Sequence, residues 1–230
     1  MVSFPTTRQS VVLSLASTDA GERSRAFDTL VALYWRPLYK YARAAWGRSP
    51  EDCEDLTQNF FARILESGAL ASYDRSKATF RTFLRLLFER NAASEVRAEH
   101  RVKRGGAHTR LDFDSAEAEL GSEEGRALSP EELYQKEWVR SVFALAIERL
   151  REAVPPVQFA VFEAYDLDDD RSISYRVLAE RFRIPETTVT NHLSAARRRF
   201  REIVLDALRE ATASDQEFRD EARVLLGVEA

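Results

Sequence analysis

The chain has 230 residues, 44% of them hydrophobic and 31% charged, and a formal net charge of −4, which are ordinary values for a soluble globular protein. Its single cysteine, Cys53, excludes an internal disulfide and any zinc site that needs two cysteines of this chain. Residues 1–10 have no basic start followed by an apolar stretch, and no apolar run is long enough to cross a membrane. We therefore expect a cytoplasmic protein with neither a signal peptide nor a membrane span.

Helical patterns dominate the first part of the chain. Apolar residues at positions 27, 30, 31 and 34 form one amphipathic stripe, and residues 49–52 (Ser-Pro-Glu-Asp) have the composition of a helix N-terminus. Phe and Leu residues at 80–88 predict a third helix, which runs into a basic stretch at 97–104. We therefore predict an all-helical first domain over residues 1–104.

An acidic segment separates this domain from a second one. Residues 111–132 contain eight acidic residues and a single arginine, and they lack helical periodicity until Ser129-Pro130, which indicates the start of a new helix. We expect a flexible acidic linker at 105–129, a second helical domain at 130–205 and a C-terminal helical extension at 206–230. The predicted fold class is all-α, with two small helical domains joined by the linker.

The most specific local pattern lies at residues 174–200, where a short helix, a tight turn at 183–185 and a second helix have helix-turn-helix spacing. Val189, Leu193 and Ala196 are predicted to hold the second helix to the core. The polar side chains at its early positions, which would enter the major groove, are Thr187, Thr188, Thr190, Asn191, His192 and Ser194. The side chains suited to DNA phosphates are Arg197, Arg198 and Arg199. The alternative is a helical hairpin with a solvated basic end.

Two further segments carry less specific patterns. Residues 79–106 interleave aromatic and basic side chains on a predicted helix, as in proteins that bind single-stranded nucleic acid, although Phe at helical spacing is also typical of a core. Residues 49–66 place acidic side chains on one face and aromatic side chains on the other, which an ordinary amphipathic helix would also do.

Patterns typical of metal sites and of enzymes are missing from the sequence. The acidic run at 166–170 imitates the start of a calcium loop, but Arg171 and Val177 occupy the positions of its glycine and its last glutamate, so we predict no metal site. No catalytic grouping or cofactor motif occurs. We therefore predict that the chain is not an enzyme and has no catalytic residues.

With these three segments in this order, the chain resembles the extracytoplasmic-function (ECF) group of bacterial RNA polymerase sigma factors. The pattern D-x-x-Q-x-x-F of the family's polymerase-binding helix occurs at 55–61, and the pattern F-x-x-W-L of its promoter-melting helix occurs at 80–84, with Phe83 in place of Trp. The resemblance covers most of both predicted domains. Short stretches at the N-terminus and in the polymerase-binding helix also resemble a subgroup from bacteria rich in Ser/Thr kinases.

The resemblance implies a promoter-specificity subunit that binds core RNA polymerase and promoter DNA, with no cofactor. Its polymerase-binding residues would be Asp52, Asp55, Thr57, Gln58, Phe61 and Arg63. Its contacts to the −10 element would be Tyr73, Lys77, Phe80, Arg81, Phe83, Arg90, Asn91, Arg97, Arg101, Lys103 and Arg104. Tyr73 is the residue expected to hold a flipped-out base by stacking. The helix-turn-helix residues named above would contact the −35 element.

Regulation is a further expectation. Relatives often have an acidic residue where Asn59 stands, and a phosphate on Thr57 would add about 1.5 to 2 negative charges to the same helix. We therefore expect a Ser/Thr kinase to activate the protein through Thr57; the alternative is that Thr57 is a plain surface residue. An anti-sigma protein is the other partner considered. The extension at 206–230 has Phe218, Ala222 and Leu225 on one face, and it either packs back on the chain or binds a partner.

Two other functions stay open from the residues alone. One is an autonomous helix-turn-helix regulator, which would bind its duplex site without polymerase at a Kd near 10⁻⁸ M, an order-of-magnitude value for specific DNA binding. The other is a helical adaptor in kinase signalling, whose basic stretches are merely solvated. The adaptor predicts that no DNA binding depends on the arginines at 197–199.

Overall fold

The computed structural model describes residues 14–15, 17–98, 116, 120, 127–168 and 173–227. No strand occurs among these residues, and the predicted all-α fold is confirmed. The described residues include the α-helices α1 (Ala20–Trp46), α2 (Pro50–Ser67), α3 (Phe80–Ala98), α4 (Pro130–Ala153), α5 (Pro156–Phe162), α6 (Tyr175–Phe182), α7 (Glu186–Ala211) and α8 (Asp215–Leu226). A 3₁₀ turn lies at Ala69–Ser72, and a π-helical turn lies at Glu163–Leu167.

Helix ends follow the capping residues in the sequence. The Ser49 hydroxyl accepts a hydrogen bond from the backbone N–H of Asp52 at the start of α2, and Pro50 occupies the first helical position. The same helix ends at Gly68, whose φ of +60° suits a residue without a side chain. The N-terminus predicted at 49–52 is thereby confirmed.

The described residues divide into two compact units, those that lie within 1–141 and 208–230 (unit 1) and those that lie within 142–207 (unit 2). The core of unit 1 is aromatic: the ring centroids of Tyr34 and Phe80 lie 5.9 Å apart, and those of Phe60 and Phe88 lie 5.0 Å apart. These side chains are fully buried, so they fix how α1, α2 and α3 pack.

The unit boundaries differ from those expected from the sequence. Residues 130–141 belong to unit 1, because Tyr134 and Trp138 of α4 are buried there and the Tyr134 hydroxyl donates to the carbonyl of Arg81 at 3.0 Å. Residues 208–230 also return to unit 1, so the predicted C-terminal extension packs back on the chain. Most of the predicted linker at 105–129 lies outside the described residues; only 116, 120 and 127–129 are described.

Unit 2 contains the helix-turn-helix. Leu178 of α6 and Val189 and Leu193 of α7 form its buried cluster with Val161 and Ala164. The turn between α6 and α7 is closed by the backbone N–H of Ile184, which donates to the carbonyl of Ala179 at 3.0 Å. The predicted core positions of the second helix are therefore confirmed, and its opposite face is left to solvent.

Candidate nucleic-acid and polymerase interfaces

The N-terminal half of α2 presents an acidic surface. Asp52 and Asp55 are exposed, Gln58 is half-buried, and Glu51 adds a further exposed carboxylate in the first turn. Carboxylates are stabilised at this end of a helix by the backbone dipoles. The surface therefore concentrates negative charge and fits a basic partner.

Two of the predicted polymerase-binding residues face the core instead. Thr57 is fully buried, and its hydroxyl donates to the carbonyl of Cys53 at 2.7 Å. Phe61 is 4% exposed, with its ring centroid 6.3 Å from that of Phe27 and 5.6 Å from that of Phe60. These two side chains pack α2 against the core. The alternative interpretation of Thr57 as a plain surface residue is therefore wrong.

Arg63 joins α2 to α3. Its Nη1 donates to Asn91 Oδ1 at 2.7 Å, so a residue predicted to bind polymerase holds one predicted to bind the −10 element. The Asn91 Nδ2 group is buried and has no hydrogen-bond partner in the described part of the chain. The amide of Asn91 is thus oriented by Arg63.

Tyr73 belongs to an aromatic cluster at the N-terminal end of α3. Its ring centroid lies 5.4 Å from that of Phe80 and 5.1 Å from that of Phe83, and its hydroxyl donates to the carbonyl of Ala78 at 3.1 Å. Phe80 is fully buried, whereas Tyr73 and Phe83 are half-buried. Burial, and secondly the negative charge of Glu217, raises the pKa of Tyr73 to about 12. The cluster therefore offers a partly accessible aromatic surface for a base.

The basic residues predicted to contact the −10 element have different surroundings. Lys77 is exposed and lies 3.3 Å from Asp74, and Arg90 is exposed. Arg81 is largely buried: its Nη2 lies 2.9 Å from Glu221 Oε1, and its guanidinium lies 4.2 Å from the centroid of the Trp138 ring. The predicted contacts that lie outside the described side chains are Arg97, Arg101, Lys103 and Arg104.

Helix α8 supplies two residues that the sequence interpretation missed. The Glu217 carboxylate accepts hydrogen bonds from the backbone N–H groups of Phe80, at 2.9 Å, and of Ala213, at 3.0 Å. Burial raises the pKa of Glu217, while these N–H groups act in the opposite direction. Glu221, one turn later, holds Arg81. The sequence signal for the packing of α8 on the chain was the apolar pair Phe218 and Ala222 on one helix face, and both side chains are buried.

In unit 2, the exposed face of α7 carries the residues predicted for the −35 element. Thr187, Thr190, Asn191 and Ser194 are exposed, and Thr188 and His192 are half-buried. Val189, Leu193 and Ala196 alternate with them and are buried. A helix with this division can place its polar face in a major groove while its apolar face stays on the unit.

The arginines that follow are not equivalent. Arg197 makes two hydrogen bonds to the Asp166 carboxylate, at 2.9 and 2.8 Å, and its guanidinium lies 5.4 Å from the centroid of the Tyr165 ring. These hydrogen bonds to Asp166 raise the pKa of Arg197. Arg198 is exposed, and Arg199 lies 3.0 Å from Glu202. A phosphate at Arg197 therefore has to compete with an internal carboxylate.

In the described part of the chain, no group of three His, Cys, Asp or Glu side chains is placed to hold a metal ion. Among the same residues, no helix combines the length and the hydrophobicity of a membrane span.

Comparison with known families identifies a match that covers most of the chain. The sequence profile described as ECF sigma factor matches residues 8–206, which include the acidic surface of α2, the aromatic cluster around Tyr73 and the helix-turn-helix. No curated protein matches the chain significantly.

Proposed function

The chain belongs to the ECF sigma factor family. From this premise we propose which partners each of its two units binds during transcription initiation. It is an alternative sigma factor, a regulator of transcription that acts with core RNA polymerase and promoter DNA. In our proposal, unit 1 binds the polymerase through α2 and the −10 element through the region from Tyr73 to Arg104, and unit 2 binds the −35 element through α7. The supporting observation is that an exposed acidic face on α2 and an exposed polar face on α7 occur in one chain matched over 8–206.

Polymerase binding is proposed for three exposed residues of α2, Asp52, Asp55 and Arg63, and for the half-buried Gln58. A pull-down of purified core RNA polymerase tests this proposal. We expect Asp55→Arg to weaken binding about tenfold or more, because reversing one charge of a complementary pair costs on the order of 2 kcal/mol. The matched control is Glu66→Arg, an equal charge reversal at the other, exposed end of the same helix.

The same experiment separates the proposed function from its main alternative. Equal binding of core polymerase by the wild type and Asp55→Arg would remove α2 from the docking surface. Absence of polymerase binding, together with tight duplex binding by the free chain, would support an autonomous regulator instead.

Promoter melting is proposed for the aromatic cluster around Tyr73. A base flipped out of the duplex loses a few kcal/mol of stacking, which an aromatic surface can offset. We expect Tyr73→Ala to abolish the permanganate reactivity of thymines in the −10 element, and Tyr73→Phe, which keeps the ring, to retain it. Melting that survives Tyr73→Ala would assign the base to another residue.

Phosphorylation of Thr57 is the regulatory part of the proposal. Its support is the sequence position of Thr57, two residues after Asp55 and one before Gln58, where about 1.5 to 2 added negative charges would reinforce the acidic surface once the side chain has left the core. Because the Thr57 side chain is buried, a kinase needs local opening of α2 to reach it, and the phosphate prevents the helix from returning to the same packing.

Transcription in cells under inducing conditions tests this step. We expect Thr57→Ala to lose induced transcription and Thr57→Ser, which keeps a hydroxyl acceptor, to retain it. Full induced transcription by Thr57→Ala would overturn control through Thr57 and would leave an anti-sigma protein as the proposed regulator.

A further inference from the structure

The C-terminal helix α8 lies on the start of the promoter-melting helix α3. The Glu217 carboxylate accepts the hydrogen bond from the backbone N–H of Phe80, the first residue of α3, at 2.9 Å. The first N–H groups of a helix have no partner within that helix and carry partial positive charge, so they attract anions. Glu217 therefore supplies, from a distant part of the sequence, the negative charge that this helix end attracts.

A second carboxylate of the same helix holds the first arginine of α3. Glu221 Oε1 lies 2.9 Å from Arg81 Nη2, with the two side chains 13% and 15% exposed. Arg81 is further confined by Trp138, whose ring centroid lies 4.2 Å from the guanidinium. With Arg81 so enclosed, the guanidinium is withdrawn from solvent and from any external anion while α8 stays in place.

The apolar attachment of α8 is small by comparison. Phe218 and Ala222 of this helix are buried, Leu225 and Leu226 are half-buried, and the outer face includes Val224, which is 79% exposed. Phe218 packs under the guanidinium of Arg209, 4.5 Å from its ring centroid. A helix with only two buried apolar side chains depends in part on its charged contacts, because burial of a small apolar area contributes little.

We infer that α8 is an intramolecular acidic competitor of the promoter strand, whose Glu217 and Glu221 carboxylates occupy the sites that two DNA phosphates would take at the start of α3. A phosphate is an anion that accepts hydrogen bonds from the N-terminus of a helix and from an arginine, which are the two interactions that Glu217 and Glu221 make here. The inference rests on the proposed function, since it assigns the start of α3 to −10 binding. Single-stranded DNA then binds only after α8 has moved away.

The energetic consequence is a reduced apparent affinity for the −10 strand. When only a fraction of molecules have the site uncovered, the apparent dissociation constant increases by the inverse of that fraction. Weakening the two carboxylate contacts increases the uncovered fraction, so it strengthens DNA binding without any new contact to DNA. A partner that binds α8 would have the same effect.

Charge-neutral variants test the inference in the holoenzyme, formed from core RNA polymerase and the full chain. The double variant Glu217→Gln and Glu221→Gln is compared with Asp215→Asn and Asp220→Asn, which removes two exposed charges from the same helix. The probe is a single-stranded DNA oligonucleotide selected from a randomised pool by the wild-type holoenzyme. We expect the Gln variant to bind it about three- to tenfold more tightly than the wild type, with the Asn variant within about twofold of the wild type.

Equal or weaker binding by the Gln variant would overturn the inference, as would equal gains in both double variants, because the gain would then reflect net charge alone. A wild-type chain that binds no core polymerase would instead overturn the proposed function, and this inference with it. The two failures are distinguishable because the polymerase pull-down precedes the DNA measurement.

Hydrogen exchange on the wild-type holoenzyme gives a second measurement that needs no variant to fold. We expect the amides of residues 215–226 to exchange faster when the selected oligonucleotide is bound, because the strand replaces α8 at the start of α3. Unchanged protection of α8 in the DNA-bound holoenzyme would overturn the inference.

Discussion

Lys40 Nζ lies 2.8 Å from Glu137 Oε2, with both side chains only 1% exposed. The pair joins α1 to the first half of α4 inside unit 1, and the other oxygen of Glu137 accepts from Arg140 Nη1 at 2.7 Å. Taking two charges out of water is costly unless each is fully compensated, so removal of one partner should cost more stability than removal of both.

The first prediction concerns this pair. Glu137→Ala leaves the Lys40 ammonium buried without its carboxylate, and we expect it to lower the free energy of unfolding by about 3–5 kcal/mol. The double variant Lys40→Met and Glu137→Leu removes both charges and should recover most of that loss. Urea unfolding followed by tryptophan fluorescence measures both values. A double variant less stable than Glu137→Ala would show that the charges themselves stabilise unit 1.

The second prediction concerns the turn of the helix-turn-helix. Arg183 has φ +54° and ψ +46°, a left-handed conformation that favours glycine, and it ends α6. We expect Arg183→Gly to raise the free energy of unfolding by about 0.5–1 kcal/mol, because it relieves a steric cost of that order. The control is Arg181→Gly within α6, which should lower it by about 1 kcal/mol. Thermal unfolding distinguishes the two, and a destabilised Arg183→Gly would mean that the arginine side chain stabilises the turn.

The third prediction compares two neighbouring arginines of α7. Both side chains are exposed, but Arg197 is held by the Asp166 carboxylate. We expect Arg198→Ala to weaken duplex binding more than Arg197→Ala does. It should also reduce the slope of log K against log salt concentration by about one, the value for one phosphate contact. Titrations of a −35 duplex with holoenzyme at several salt concentrations measure both effects. The reverse ranking would show that Asp166 positions Arg197 for DNA.

The fourth prediction concerns alkaline pH. Burial raises the pKa values of Tyr41 and Tyr73 to about 12 from the ordinary value of 10. Between these values the unfolded chain releases phenol protons that the folded chain keeps, so stability must fall as pH rises from about 10 to 12. Chemical unfolding over this range should show the fall, and Tyr73→Phe should make it shallower. A fall of the same steepness in Tyr73→Phe would mean that Tyr73 titrates normally in the folded chain.

Local patterns predicted the local structure well. Helix α2 begins at Ser49-Pro50 and ends at Gly68, as predicted, because capping depends only on neighbouring residues. The spacing of Val189, Leu193 and Ala196 matches the helix period, and all three are buried. The orientation of Thr57 was predictable too. Buried positions on α2 follow Cys53 at i+3, i+4 and i+7, and Thr57 occupies the i+4 position of that stripe.

Long-range pairings could not be predicted in this way. The contact of Glu217 with Phe80 joins residues 137 positions apart, and no periodicity links them. The same holds for Tyr134 and Arg81, whose contact assigns the start of α4 to unit 1. Acidic and aromatic residues at these positions are equally compatible with a solvated helix, so only the tertiary structure identifies their partners.

The course of the chain through its two units has a consequence for synthesis on the ribosome. Unit 1 is built from residues 1–141 and 208–230, and the Tyr34 hydroxyl donates to the carbonyl of Ala211 at 3.3 Å, across 177 positions of the sequence. Translation delivers the whole of unit 2 before this last piece of unit 1 emerges. The nascent chain can therefore fold its helix-turn-helix first, and the unit that begins the sequence is the one completed last.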